Sequence, residues 1–271
     1  APVRGTTLPV VLLSDKADQQ KFAGLAHFIS NRATPQEALY ALREAVRLGA
    51  TYAESPGTAE PSDEIQPDQT LDTGRLLAVV GGKGTPGVTT VAIGLAHSLA
   101  GLDRSVVLVD ADMRGGNVVP YLDLDPSRGL LGLAASRSGP TRGRVDAELQ
   151  EASGFSVLAG LERPEDHSSI TRDVLAGALE ELKGSGADIL VDLGQLVANA
   201  PSVAVEGVLH LVDGVLLVCH ADLIGAWNAR CCQRYLVERL NVPDGGVALV
   251  INRQASHGQY TASELAHAVG A

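Results

Sequence analysis

The apolar positions of this chain fall into two alternating kinds of run. Short, nearly unbroken ones read LLAVVG (76–81), SVVLVD (105–110), FSVLAG (155–160), DILVDLG (188–194), GVLLVCH (214–220) and VALVIN (247–252). Between them lie longer stretches with helical spacing, TTVAIGLAHSLAG, SSITRDVLAGALEELKG, APSVAVEGVLHLV and GAWNARCCQRYLVERLN. A strand with no polar face is covered on both sides, and the helices between such strands are its crossovers. The pattern predicts an α/β fold with a doubly wound, mostly parallel sheet over residues 75–271. Ligands of such sheets gather at the carboxyl ends of the strands, so the loops after each run are where chemistry is sought.

Residues 1–50 carry a smaller version of the same alternation: a strand (LPVVLLSD), a short helix near DQQKFAGLA, a strand (HFIS) and a strong helix, TPQEALYALREAVRLG. Thr34, Pro35 and Glu37 supply an N-cap, a first-turn proline and a capping box; Leu39, Leu42 and Val46 form its stripe and Gly49 ends it. The order resembles the end of a response-regulator receiver domain. Asn31 stands where receivers carry a lysine, and the usual phospho-acceptor would lie upstream, so the resemblance implies no phosphorelay chemistry. Residues 51–74 hold Pro56, Pro61 and Pro67, six carboxylates and no Lys or Arg, and read as an acidic linker. The organisation expected is therefore a receiver-like fragment (1–50), a linker (51–74) and the α/β body (75–271).

Composition narrows this picture. Aromatic residues make up only 3% of the chain, so the core is built from Val, Leu, Ile and Ala. The net charge of −11 works against sequence-blind nucleic-acid binding. Cys219, Cys231 and Cys232 form no C-x-x-C pair and read as buried, reduced thiols. No apolar run reaches the roughly 20 residues of a membrane helix, and the N-terminus lacks a signal-peptide pattern. A cytoplasmic protein with at most peripheral membrane association is expected. Arg137, Arg142 and Arg144 read as a solvated loop, and Trp227, with Cys231, Tyr235 and Leu236, as core or dimer packing.

The chemistry is concentrated in GGKGTPGVTT, residues 81–90, between a strand and a helix. Gly82, Gly87 and Thr89 match the P-loop spacing G-x-x-x-x-G-x-T, in which backbone N–H groups and a helix N-terminus cradle phosphate. Gly82, Lys83, Gly84, Thr85, Gly87, Val88, Thr89 and Thr90 are thus candidate ligand-binding residues, with Thr89 placed for a metal and Thr90 for a phosphate. Val88 stands where a P-loop carries lysine, and Pro86 removes one donor. A unit charge at about 4 Å is worth about 4 kcal/mol at an effective dielectric near 20, so the deficit is large unless another group meets it. The same glycines also spell G-x-G-x-x-G, with Asp110 about where a dinucleotide fold holds a ribose hydroxyl. A phosphate loop and an NAD site both remain open on this stretch alone.

Longer-range motifs carry a family resemblance. KGTPGVT is similar in register to the deviant P-loop of the MinD/ParA family, K-G-G-x-G-K-[ST], with Lys83 at the signature lysine and departures at Thr85 and Val88. VLVDADMRGGNVVPYLDLDPSRGLLGLA resembles that family's switch segment, DILVDLG its acidic strand, and VALVINRQ its last strand and base loop. The resemblance implies ATP or ADP with Mg2+, and a homodimer in which Lys83 reaches the partner's phosphates. Thr89, Asp110 and Asp192 would serve the metal, Asp112 would orient the attacking water, and Asn252 with Arg253 would address the adenine. The DLG strand, the NR pair and the receiver-like piece look most like the CpaE/TadZ branch, whose members localise pilus-assembly or septum-associated complexes. A nucleotide-responsive positioning protein, recruited to a pole, septum or inner membrane face, is the expected function, with slow hydrolysis if any. A pseudo-ATPase that binds no nucleotide stands beside it.

Overall fold

A computed structural model describes residues 10–14, 27–30, 74–84, 86–136, 139–196, 202–243, 246–254 and 259–270. The acidic linker, the two helices expected in residues 1–50, Thr85 and Arg137 lie outside the described residues. In chain order the elements are β1 (Val10–Ser14), β2 (His27–Ser30), β3 (Leu76–Gly81), α1 (Val88–Ala100), β4 (Val106–Asp110), α2 (Val118–Leu122), α3 (Leu130–Ala134), α4 (Arg142–Glu148) and β5 (Gln150–Ala152). They continue with β6 (Phe155–Leu158), α5 (Arg172–Lys183), β7 (Asp188–Gln195), α6 (Val203–Glu206), β8 (Gly214–His220), α7 (Leu223–Glu238), β9 (Val247–Gln254) and α8 (Ala262–Val269).

The strands form one sheet in the order β2-β1-β9-β8-β3-β7-β4-β6-β5. All pairs are parallel except β5 with β6. Thus every apolar run of residues 75–271 became a strand of the expected mostly parallel sheet. β1 also joins this sheet, pairing with β9 from Val10 opposite Leu249.

Alternation along β3 divides the core. Leu76, Ala78 and Val80 face a cluster completed by Leu175, Leu179 and Leu182 of α5 and by Ala226 and Leu236 of α7. Val79 faces the opposite side, where Val88, Ala92, Leu95, Ala96 and Leu99 of α1 cover it. Both faces are dry, which is why these strands lack polar alternation.

Several elements depart from expectation. β5 is a polar strand (QEA) held by a two-residue turn in which Ser153 and Gly154 both have positive φ, the mirror-image turn that suits a hairpin. The switch segment contains α2 and α3, and part of the arginine loop is the helix α4. APSVAVEGVLHLV yields only α6 and a short 3-10 turn at Leu209–Leu211 among its described residues. Along α7 the buried stripe is Ala226, Ala229, Cys232 and Leu236. Core packing of Trp227 is therefore wrong: it is 64% exposed, beside exposed Leu223 and Ile224. Cys231 is also exposed, whereas Cys219 and Cys232 are buried.

Below the sheet, at the strand starts, Asp188 receives the Arg104 guanidinium through Nε and Nη2 and the Arg75 backbone N–H at 3.2 Å. Asp188 is 7% exposed, so removing its carboxylate strands a partly buried cation and an amide. Asp188→Ala is expected to cost about 2–3 kcal/mol in urea-unfolding stability. Arg234→Ala, which breaks an exposed pair with Glu238, should leave the midpoint unchanged. Equal effects of the two substitutions would contradict this account.

Candidate functional site

The loop after β3 reverses at two glycines. Gly84 (φ 100°) and Gly87 (φ 88°) both occupy the left-handed region. A Cβ at Gly87 would fall 2.5 Å from Asn252 Nδ2, and one at Gly82 would fall 2.5 Å from the Asn228 carbonyl oxygen. Gly87 is also the N-cap of α1. It offers no capping side chain, and the first turn holds no acidic residue. The positive end of α1 is therefore uncompensated from within the helix, as an anion site requires.

Two carboxamides hold the loop from outside. Asn252 Nδ2 donates to the Pro86 carbonyl at 2.8 Å, and Asn228 Nδ2 donates to the Lys83 carbonyl at 2.9 Å. The Lys83 side chain is exposed and makes no ion pair with another described residue. Val88 is 3% exposed and packs with Val79, Ala92 and Val118, so its side chain belongs to the core. Only its backbone is left for the loop. Thr89 is half-buried and Thr90 exposed on the first turn.

Three carboxylates stand at neighbouring strand ends. Asp110 of β4 and Asp192 of β7 are register partners. Asp110 is 1% exposed and accepts from the Asp112 N–H at 3.2 Å and the Val118 N–H at 3.3 Å. Its pocket is tight: a Cβ at Gly116 would lie 2.3 Å from both its oxygens. The glycines of the GGN segment thus have a local task, the admission of this carboxylate. Asp112 accepts from the Arg114 N–H at 3.0 Å and lies over the end of β7, where a Cβ on Gly194 would come within 2.3 Å of its Cγ. Asp192 is fully buried, with Oδ1 accepting from the Gly194 N–H at 2.9 Å and Oδ2 making no hydrogen bond to another described residue.

Burial pushes the Asp192 carboxyl up, and the neighbouring Asp112 charge adds to this. The Thr89 hydroxyl lies near the carboxylate without a hydrogen bond to Oδ2, and together with the Gly194 N–H it opposes the rise. Burial raises Asp110 as well, helped by the Asp192 charge, and raises Asp112 against the pull of Arg114. Like charges this close in a dry site resist joint ionisation.

The expected site residues, Thr85 apart as not described, thus lie on or follow β3, β4, β7 and β9 at one end of the sheet. Asn252 comes in through its hydrogen bond to the loop, while Arg253 is exposed with φ 60°. Asn228 was not foreseen: it lies on a helix 145 residues from Lys83, and a single Asn amid apolar residues gives no sequence signal. Among the described residues no group of three or more His, Cys, Asp or Glu side chains is arranged to chelate a metal directly. No described helix is long and apolar enough to cross a membrane.

Topology separates the two classes left open by the glycines. In a dinucleotide-binding fold the glycine-loop strand lies beside the next strand in sequence. Here β7 is inserted between β3 and β4, and Asp110 is too buried to meet a ribose hydroxyl. A glycine-loop strand flanked by an acid-ended strand defines a P-loop α/β protein.

No protein-family model matches the chain. It is 30% identical over 166 residues to the maintenance of carboxysome distribution protein A of Gloeobacter kilaueensis, covering 61% of this chain and 72% of that one. It is 44% identical over 147 residues to the antiactivator FleN of Pseudomonas aeruginosa, covering 51% of each, so the chain spans about half the length of FleN. Its fold matches a ParA family ATPase from Chlorobium tepidum, with a TM-score of 0.63 and 20% identity over 72% of this chain and 81% of that one. It also matches the septum site-determining protein MinD complexed with Mg-ADP from Pyrococcus horikoshii, with a TM-score of 0.52 and 18% identity over 72% and 77% of the two chains. The chain belongs to the MinD/ParA family of P-loop ATPases.

The buried acids make a thermodynamic prediction. Asp192→Asn keeps the shape and the Oδ1 acceptor while removing a poorly solvated charge. The thermal midpoint of the ligand-free protein should rise by about 2–4 °C for each kcal/mol relieved. A fall in the midpoint, measured by calorimetry, would refute the idea that this carboxylate is a cost to the empty fold.

Proposed function

We propose that the protein is a nucleotide-responsive positioning or scaffold protein that binds an adenine nucleotide with Mg2+. The observation that carries this reading is the fully buried Asp192 Oδ2, without a hydrogen-bond partner among the described residues and beside Thr89 at an uncapped helix end. A buried carboxylate oxygen without a donor is expensive unless a ligand supplies one. The Thr89 hydroxyl would hold the metal together with oxygens of the nucleotide, and Asp192 and Asp110 would support it through water. When bound, the ion would neutralise phosphate charge. Asp112, half-buried at the outer end of the cluster, would orient a water for hydrolysis.

Asn252 supports adenine rather than guanine. Its Nδ2 donates to the Pro86 carbonyl, which would leave the Oδ1 acceptor for the 6-amino group of adenine, where guanine presents a carbonyl. Arg253 would flank the base. Exposed Lys83, free of ion pairs with described residues, would meet the phosphates of a second subunit in a sandwich dimer and offset the missing charge at Val88. Hydrolysis on such a site would be slow or absent.

The relatives' names, a carboxysome distribution protein and an antiactivator, favour control of cellular position or of a protein partner. Within that frame we take the partner to belong to a pilus, septum or polar complex, as in the CpaE/TadZ branch. Recruitment would be from the cytoplasm to a pole, a septum or the inner membrane face. Residues 1–50 would act as a receiver-like fragment joined by the linker 51–74 to the ATPase body 75–271. One observation favours the second reading, a nucleotide-free interaction module: Val88 is sealed into the core and offers no cation.

Calorimetry with Mg-ATP, Mg-ADP and NADH decides between them. The expected result is binding of adenine nucleotides that depends on Mg2+, no response to NADH, and ATP affinity that rises with protein concentration. Lys83→Ala should abolish that concentration dependence while sparing ADP binding. No heat at millimolar Mg-ATP would select the interaction module. ATP affinity independent of protein concentration would reject the sandwich dimer.

A further inference from the structure

We infer that Asn228 is a positioning residue of the phosphate loop, fixing the peptide plane between Lys83 and Gly84 from helix α7. The inference rests on the reading of this loop as a phosphate site. Asn228 Nδ2 donates to the Lys83 carbonyl at 2.9 Å. Because the acceptor is a carbonyl, the amide face of the carboxamide must be the one turned to it. The loop is seated on the same residue. A Cβ at Gly82 would lie 2.5 Å from the Asn228 carbonyl oxygen and 2.8 Å from its carbon, so only glycine permits the approach. One would-be Cβ at Gly84 lies 4.0 Å from Asn228 Nδ2, in ordinary contact.

The consequence follows from peptide planarity. In a trans peptide the C=O of one residue and the N–H of the next point in opposite directions. Drawing the Lys83 carbonyl onto α7 therefore turns the Gly84 N–H away from α7. The Asn252 bond to the Pro86 carbonyl does the same for the Gly87 N–H at the other end of the loop. Two carboxamides, from β9 and from α7, thus set two amide dipoles in advance of any ligand. In a loop that lacks the usual lysine, preset backbone dipoles carry a larger share of the phosphate interaction. The bond acts on the backbone of Lys83 and leaves its ammonium unengaged, so positioning and charge are separate duties of one residue.

The test uses a fluorescent ATP analogue with Mg2+, thermal unfolding and backbone amide NMR on the whole chain. Asn228→Ala should weaken the analogue by about 5–10-fold, the scale of one lost hydrogen bond. It should shift the Gly84 amide resonance in the ligand-free protein, leave that of Gly87 in place, and hardly move the thermal midpoint. Asn228→Asp, with the same shape and no donor, should lose at least as much. In a double-mutant cycle with Lys83→Ala the two losses should add, because the bond is to the carbonyl that both versions of residue 83 keep. Unchanged affinity in Asn228→Ala overturns the inference, and so does a loss matched by a lower midpoint with Gly84 unmoved. If wild type itself fails to bind the analogue, the nucleotide reading falls, and the Gly84 resonance alone decides whether Asn228 sets the loop.

Discussion

The site depends on the insertion of β7 between β3 and β4. Parallel pairing on both sides fixes its height, with Asp192 opposite Val79 of β3 and opposite Asp110 of β4. One strand therefore delivers a carboxylate to the root of the glycine loop and to a second carboxylate at once. A slip of one residue would turn Asp192 to the other face and put Leu193 in its place. Apolar packing above and below the sheet forbids that slip, so the hydrophobic core sets the geometry of the polar site. The glycines follow from the same constraint. Gly116 and Gly194 are small because the carboxylates of Asp110 and Asp112 fill the volume a side chain would need.

This arrangement is held against its own electrostatics. Two buried acids on neighbouring strands repel, and one oxygen of Asp192 has no donor among the described residues. A fold selected only for stability would place amides or apolar groups there. The compensation is elsewhere: Asp188 and Asp213 at the opposite strand ends satisfy the Arg75 and Leu76 amides, and Arg104 and Lys183 neutralise them. The acids at the bottom of the sheet are paired and structural. Those at the top accept backbone N–H groups and form no ion pair with a described residue. The contrast sets the two ends of the sheet apart without reference to any motif.

The strands, the helix after the glycine loop and the acids at the strand ends were legible in the sequence, because each is a local signal: an unbroken apolar run, a glycine spacing, a carboxylate closing a run. What was not legible is either weakly patterned or non-local. β5 contributes one buried side chain, Gln150, to an otherwise polar triplet, so no alternation announces it. Trp227, read as core or dimer packing, is not in the core: small residues, Ala226 and Ala229, lie on the buried face of α7, and the backbone of Asn228 and Ala229 meets Gly82. Close approach of backbone to backbone selects small side chains on the inside and leaves the large ones on the outside. Asn228 has no local signature at all, since its partner is a carbonyl far along the chain.

That close approach also bears on Val88. Pro86, Gly81 and Val88 pack so tightly that a Cβ at Gly81 would meet the other two at 2.7 and 2.9 Å. The position that elsewhere sends an ammonium into the loop here closes the loop onto the core. What this costs in charge it returns in rigidity, since an apolar plug has no solvation to lose and no rotamer freedom beyond one χ1. A loop packed from beneath by Val88 and held from outside by two asparagines presents fixed amides where position 88 offers no ammonium. Fixed amides recognise the shape of a phosphate, but they cannot follow charge as it moves during transfer to water. Under the proposed function, Val88 would therefore favour holding a nucleotide over consuming it, the balance a positioning protein needs.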